Sequence, residues 1–392
     1  MTRNFLLARF REYYLESSLE APPSLEEREW GFLFFDDSGM RRHKSFFGRG
    51  ELEEYVRATV PRHIYHSAAY YERPSAPTMK EKLWKGADLI FDLDADHLKA
   101  APGSYCEMLS CVRMEALKLL DFLISDFGFS EESISIAFSG GRGYHIHIRD
   151  PRVLRLGGDE RREVVDYLTG RGLEIERLRF REVRSGDAGG VRKVLALRCP
   201  PENAPGWGGR FNQALVRFVE EVRAMDEDEA IGLLTSIRGI GRARAKEFYR
   251  SLRGGDVLKD IRLGNLDGLK GVQGIWGFLI DNYVAERAVS VLGGETDEPV
   301  TADVRRLIRC PGSLHGGTGL RVTSLTPSDI EVFEPLQDAV VFGDDPVAVE
   351  VTRPFRTEMK GESYSLAEGR TEMPLCVAVF LMARGVAELA RE

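Results

Sequence analysis

The chain of 392 residues has no apolar run approaching the roughly 18 residues needed to span a bilayer. Its cysteines (Cys106, Cys111, Cys199, Cys310, Cys376) are few, odd in number and scattered, which excludes a disulfide framework and fits a reducing compartment. The opening MTRNFLLARFREYYLESS carries Arg3, Arg9, Arg11 and Glu12 and no small-residue cleavage site. It reads as an amphipathic helix rather than a signal peptide. An excess of positive charge is also missing: a net charge of −8 excludes wholesale electrostatic binding to nucleic acid, though not local patches. There is no repeat and no low-complexity tract. What is present, 43% hydrophobic and 30% charged residues, is an ordinary globular balance. Together these features predict a soluble cytoplasmic protein of more than one structural unit.

The order of patterns predicts an α/β core interrupted by a mainly helical insertion. A strand-like run at Trp30–Phe35, a turn, and a second strand near Lys44–Phe47 suggest a hairpin. Residues 87–94, ADLIFDLD, read as a short buried strand, followed by a long helix through Leu109, Val112, Ala116, Leu119 and Leu123. SISIAF (133–138) and YHIHIR (144–149) flank a glycine-rich link and predict a second hairpin. Helical patterns dominate 159–290; strand character returns in LRVTSL and AVVFG, and an apolar helix is expected over Leu375–Ala390. The predicted division is a core of 1–158 with 291–350, an insertion of 159–290, and a C-terminal extension of 351–392.

Three clusters carry chemistry. Asp92 and Asp94 stand at i and i+2 on the strand and share a face, roughly 6–7 Å apart. Two carboxylates so placed repel unless cations sit between them, and hard oxygens suit Mg²⁺ or Mn²⁺. Asp88 and Asp96 have the same parity, so parity alone leaves the pair open. In the second cluster, Ser139-Gly140-Gly141-Arg142-Gly143-Tyr144-His145, glycines let backbone N–H groups approach an anion while the hydroxyl and guanidinium donate to it. Arg305, Arg306, Arg309 and His315, before another glycine-rich turn, form the third. Carboxylates for metal plus two Arg/His groups for phosphates are the ingredients of phosphoryl transfer.

DLIFDLD, SGGRGYH and the run from Asp297 through TADVRRLIRCPGSLH resemble the small catalytic subunit of archaeal and eukaryotic DNA primases, and REWGF with RRHKSF looks like that family's N-terminal motifs. The resemblance runs from about residue 28 to 325. It implies a primase-type core of mixed β-sheets with flanking helices. It implies two divalent ions, Mg²⁺ or Mn²⁺, held by Asp92 and Asp94, with Asp297, eighteen residues before His315, as the third acidic ligand. Ser139, Arg142, His145, Arg309 and His315 would bind phosphates, and Arg42 would contact the incoming nucleotide. The implied activity is synthesis of short primers on single-stranded DNA from nucleoside triphosphates. The implied partner is a large regulatory subunit, which would hold the iron–sulfur cluster.

The zinc knuckle of many family members has no full counterpart, because only His97, Cys106 and Cys111 stand in its place. Four ligands are the structural norm, and two cysteines five apart on a helix diverge by about 140°. Zinc is not expected there. The stretch around Gly239, Gly241, Arg242 and Lys246 resembles a helix–hairpin–helix element, whose turn presents backbone N–H groups to a DNA phosphate. Two rival functions stand beside primer synthesis. One is a primer- or gap-extending repair polymerase of the same superfamily. The other is a non-catalytic DNA-binding scaffold.

Overall fold

Apolar spacing sets the elements of the computed structural model, which describes residues 1–36, 39–97, 103–178, 180–184, 194–266, 275–276, 279 and 297–391. First come α1 (Thr2–Glu16), β1 (Trp30–Leu33), β2 (Arg41–Lys44), α2 (Arg49–Thr59), β3 (His63–Ser67), β4 (Ala69–Tyr71), β5 (Trp84–Ala87) and β6 (Leu89–Asp94). Then follow α3 (Tyr105–Asp121), β7 (Ile134–Phe138), β8 (Gly143–Ile148) and α4 (Gly158–Thr169). The middle holds β9 (Phe180–Arg184), β10 (Val194–Arg198), α5 (Gly206–Ala224), α6 (Glu227–Ser236), α7 (Arg242–Leu252) and α8 (Val257–Arg262). Next are α9 (Glu298–Ala302), β11 (Leu307–Arg309), β12 (Thr323–Leu325), α10 (Pro335–Asp338) and β13 (Pro346–Val351). The last elements are β14 (Phe355–Met359), β15 (Glu362–Leu366), β16 (Gly369–Pro374), α11 (Leu375–Ala383) and β17 (Ala387–Leu389). No helix among the described residues is long and apolar enough to cross a membrane.

The chain divides into two compact units. The first comprises Met1–Leu120, Phe129–Val165 and Glu295–Glu392. It contains two four-stranded antiparallel sheets, ordered β11-β3-β1-β2 and β12-β7-β8-β6. Burial explains the strands. Trp30 and Phe32 of β1, Phe91 of β6, Ile136 and Phe138 of β7, and Ile146 and Ile148 of β8 are all wholly enclosed. The expected hairpins form, but β2 lies at Arg41–Lys44, a few residues before the expected run. Its side chains are exposed or half-buried at a sheet edge, so no apolar alternation marks it.

The C-terminal part of this unit departs from the sequence reading in two places. AVVFG (339–343) is not a strand. The helix expected to reach Ala390 stops at Ala383; Gly385, at φ +67°, reverses the chain, and β17 pairs with β13. The second unit comprises Asp121–Gly128 and Asp166–Gly294. Its core is Phe211, Leu215, Phe218, Leu234, Phe248 and Trp276, packed between the helices of its α5–α8 region. It also holds an antiparallel pair, β9 with β10: FREVR of β9 is too dense in arginine and glutamate to show alternation, and VLALR of β10 is a short apolar run that periodicity does not separate from helix.

Buried ionisable groups brace the first unit. Asp88 and Arg28 pair at 3.1 Å with both side chains wholly enclosed, and Tyr70, His147 and Arg149 also reach the Asp88 carboxylate. Burial raises the Asp88 carboxyl, but the His147 hydrogen bond and the arginines outweigh it and hold it below the usual range. Burial, with nearby guanidiniums, also pushes His63 down to about 2, His147 down to about 4, and His66 well below 6.5. An unfolded imidazole titrates near 6.5. Below that pH the unfolded chain takes up protons that the folded one refuses. Stability is therefore full above pH 6.5 and is lost as the pH falls toward 4, by about 1.4 kcal/mol per pH unit for each histidine. Melting temperature measured from pH 7.5 to 4.5 should fall steeply below 6.5. A flat profile there would contradict neutral buried histidines.

Candidate active site

Along β6, Leu89, Ile90, Phe91 and Leu93 are buried, while Asp92 and Asp94 keep partly open carboxylates on one face. β8 runs antiparallel beside β6, with Asp92 opposite His145 and Asp94 opposite Gly143. His145 Nε2 lies 3.6 Å from the Asp92 carboxylate, and burial depresses its pKa although Asp92 pulls it up. Gly143 is required at its position. A Cβ there would lie 1.9 Å from the carbonyl oxygen of Leu93, so only glycine lets β8 close on the acidic end of β6.

The turn between β7 and β8 is held from inside. The Ser139 hydroxyl accepts the N–H of Gly141 and of Gly143, both at 3.3 Å, leaving its own proton to donate. Gly140, at φ +72°, packs against His315, where a Cβ would come within 2.7 Å. Arg142 grips Asp96 through both terminal nitrogens (2.8 and 2.5 Å) and lies 3.4 Å from Asp94. The four acids of equal parity thus separate by depth: Asp88 is enclosed in the core, Asp96 pairs outside the strand, and Asp92 and Asp94 face a cleft. Asp297, at the N-cap of α9, donates its backbone N–H to the Asp92 carbonyl at 3.1 Å.

β11 and the loop after it supply the other wall. Arg309 stacks over Tyr65 at 5.1 Å and donates to His63 Nδ1, which also accepts the Gly316 N–H at 3.2 Å. His63 therefore carries its proton on Nε2. His315 Nδ1 accepts the Gly317 N–H at 3.2 Å, so its proton too is on Nε2, beside Gly141. Thr318 donates to the Gly140 carbonyl and joins the two glycine turns. Burial, with Arg309 and His63 nearby, keeps His315 neutral.

Asp92, Asp94, Ser139, Arg142, His145, Arg309 and His315 all line one cleft of about 480 Å³, within the ordinary range of ligand sites. Arg42 is not among its lining residues. It sits on β2, at the opposite edge of the sheet from β11, about three strand spacings or 14 Å away, and bonds the buried Glu29 at 3.0 Å. The cleft also takes in residues the sequence did not single out: Tyr65, Arg353 and Arg384. His63 stands behind them. Two histidines in the short β-prone run HIYH were a readable signal for His63; a lone arginine after an apolar helix was none for Arg384.

Among the described residues, no three carboxylates, imidazoles or thiols converge to hold a metal unaided. Mg²⁺ does not need them: it keeps waters, takes one or two carboxylates and completes its shell with substrate phosphates. Asp92 and Asp94 fit that requirement, with Asp297 anchored to the same strand. Cys106 and Cys111 both lie on α3; the His97 side chain and residues 98–102 lie outside the described residues. In the second unit, α6 and α7 are joined by a turn in which Ile240 is buried, Gly239 has φ +94°, and Gly241 and Arg242 are exposed. Lys246 pairs with Glu227 at 3.2 Å.

Residues 91–327 match the family model described as DNA primase small subunit. The chain is 59% identical to the DNA primase small subunit PriS of Methanothrix thermoacetophila, with 99% of each chain covered. It is 48% identical to that of Methanococcoides burtonii, covering 99% of this chain and 98% of the relative. To that of Haloarcula marismortui it is 40% identical, covering all of this chain and 99% of the relative. Such similarity across the whole length includes every segment that builds the cleft, and the chain therefore belongs to the DNA primase small-subunit family and is a nucleotidyltransferase of that class.

Proposed function

We propose that the cleft synthesises primers on single-stranded DNA by nucleotidyl transfer assisted by two divalent ions, Mg²⁺ or Mn²⁺. One observation carries this reading. Carboxylates from β6 face phosphate-binding groups from the β7–β8 turn and from β11, more than 160 residues away, across a single cleft. Asp92 and Asp94 would hold the ions, with Asp297, bonded through its backbone to the same strand though not among the cleft's lining residues, as the third ligand; the ions' chemistry is to activate the attacking 3′-hydroxyl and stabilise the leaving pyrophosphate. Ser139, Arg142 and Arg309 donate to the triphosphate and neutralise charge as it develops. His315 presents an Nε2–H and stays neutral, so it orients a phosphate oxygen by hydrogen bonding. His145, 3.6 Å from the Asp92 carboxylate, would bind phosphate beside it. His63 is a positioning residue for Arg309.

Nucleoside triphosphates and a single-stranded template are the substrates in this reading. A large regulatory subunit is the partner, and a cytoplasmic replication complex is the setting. Zinc has no role. The test is incorporation on unprimed single-stranded DNA against the same DNA with a primer annealed. New short products on the unprimed strand are expected; extension of the supplied primer alone would transfer the chain to the repair-polymerase reading.

The α6–α7 turn supports a second contact with DNA, through backbone N–H groups at the start of α7 and the exposed Arg242. Arg242→Glu with Lys246→Glu should weaken template binding about tenfold or more near 0.1 M salt and reduce the slope of log affinity against log salt by about 1–2. Unchanged affinity and slope, measured by fluorescence anisotropy, would remove this element from the DNA-binding surface.

A further inference from the structure

We propose that Arg384 and Arg353, from the C-terminal segment, complete the triphosphate cradle and grip the distal phosphates of the incoming nucleotide. The inference rests on reading the cleft as a nucleotidyl-transfer site, and it gives the end of the chain a part in that site. Both arginines line the cleft with Ser139, Gly141 and Arg142.

Arg384 is mounted on aromatic faces. Its guanidinium lies 4.8 Å from the ring centre of Tyr105, 5.3 Å from Phe380 and 5.7 Å from Phe355. Stacking fixes the plane of a guanidinium while leaving its N–H edge unused. Among the described residues neither the Arg384 nor the Arg353 guanidinium has a hydrogen-bond or ion-pair partner, although the Arg384 backbone N–H donates to the Phe380 carbonyl at 3.1 Å. A half-buried guanidinium held by stacking, whose N–H donors no protein group engages, is open to an anion in the cleft. Burial lowers the Arg384 pKa, and Arg142 and Arg353 lower it further, so the three cations crowd one another.

The place of Arg384 identifies which anion. Tyr105, its stacking partner, donates its hydroxyl to the Gly141 carbonyl, so the aromatic platform is tied to the Ser139–Gly143 turn. Arg142, Arg309, Arg353 and Arg384 converge on a cleft whose carboxylates are Asp92 and Asp94. That surplus of guanidinium suits a polyanion more than a single phosphodiester. A nucleoside triphosphate supplies it, with α-phosphate toward the aspartates and β- and γ-phosphates toward the arginines. The template strand, one charge per nucleotide, is the competing occupant.

The test compares ATP, AMP and single-stranded DNA binding to the full chain by calorimetry and anisotropy. The variants are Arg384→Met, which retains the stem, Arg384→Lys, Arg353→Ala and Arg142→Ala. One lost charge-assisted bond corresponds to roughly 10- to 100-fold. Arg384→Met should lose that factor for ATP, keep AMP and DNA affinity within about twofold, and raise KM; Arg384→Lys should recover part of the loss. Arg353 is exposed, so its replacement does not disturb packing; it should show the same split between ATP and AMP at roughly fivefold. Equal losses for ATP and AMP with a lowered melting temperature would reduce Arg384 to packing and overturn the inference. Lost DNA affinity with ATP unchanged would move the contact to the template and overturn it as well. If Arg142→Ala weakens ATP binding while the C-terminal variants do not, this inference alone fails. If no variant weakens ATP binding, the nucleotide reading of the cleft fails with it.

Discussion

Asp92→Ala and Asp94→Ala are each expected to reduce nucleotide incorporation by about 10³-fold or more, while leaving the melting temperature nearly unchanged. The loss follows from removing a ligand that contributes several kcal/mol of transition-state charge stabilisation. The unchanged stability follows from the surroundings. Asp94 is one-third exposed and 3.4 Å from Arg142, so the pair contributes about 0–1 kcal/mol. Relief of repulsion between two carboxylates on one strand face offsets part of that. Steady-state kinetics and thermal denaturation on the same preparations check both halves. Incorporation within tenfold of wild type would remove these residues from the chemistry, and a large drop in melting temperature would give them a structural role instead.

Gly143→Ala should be nearly as damaging by a different route. A Cβ at 1.9 Å from the Leu93 carbonyl oxygen and 3.0 Å from the Asp94 Cα cannot be absorbed by rotating a side chain, since both neighbours are backbone. β8 must move away from β6 at the very pairs that align His145 with Asp92 and Gly143 with Asp94. Overpacking of this kind costs about 3 kcal/mol. A displacement near 1 Å at a reacting centre costs on the order of 10²-fold in rate. Gly343→Ala is the control: nothing lies within 4 Å of a Cβ at this exposed position outside helices and strands. It should leave stability and activity as they are. A Gly143→Ala protein with wild-type activity and melting temperature would show that the two strands have slack that the register does not suggest.

The sequence made the heart of the site legible because its signals are local. A strand ending in alternating aspartates, and a serine–glycine–arginine turn between two β-prone runs, each need only a short stretch of chain to be recognised. Spacing could not separate Asp92 and Asp94 from Asp88 and Asp96, since parity reports a face and not a depth. Arg28 and Arg149, far apart in sequence, decide that Asp88 belongs to the core. Arg384 was illegible for a related reason: what holds it in the cleft is the Tyr105–Phe355–Phe380 platform, assembled from three distant segments. The overlong C-terminal helix shows the opposite failure. Gly385, followed by β-branched Val386, was a readable stop signal, and a continuous apolar pattern concealed it. Arg42 was read from its motif, yet motif alone does not say which edge of a sheet it occupies.

Whether the aspartates form a two-ion centre completed by the nucleotide is decided by calorimetric titration of Mn²⁺ with a non-hydrolysable nucleoside triphosphate present. Two ions per chain are expected with the nucleotide bound, one or none tightly without it, and loss of the pair in Asp94→Ala. Two ions bound equally well by Asp94→Ala, or none in the wild-type chain with saturating nucleotide, would contradict it.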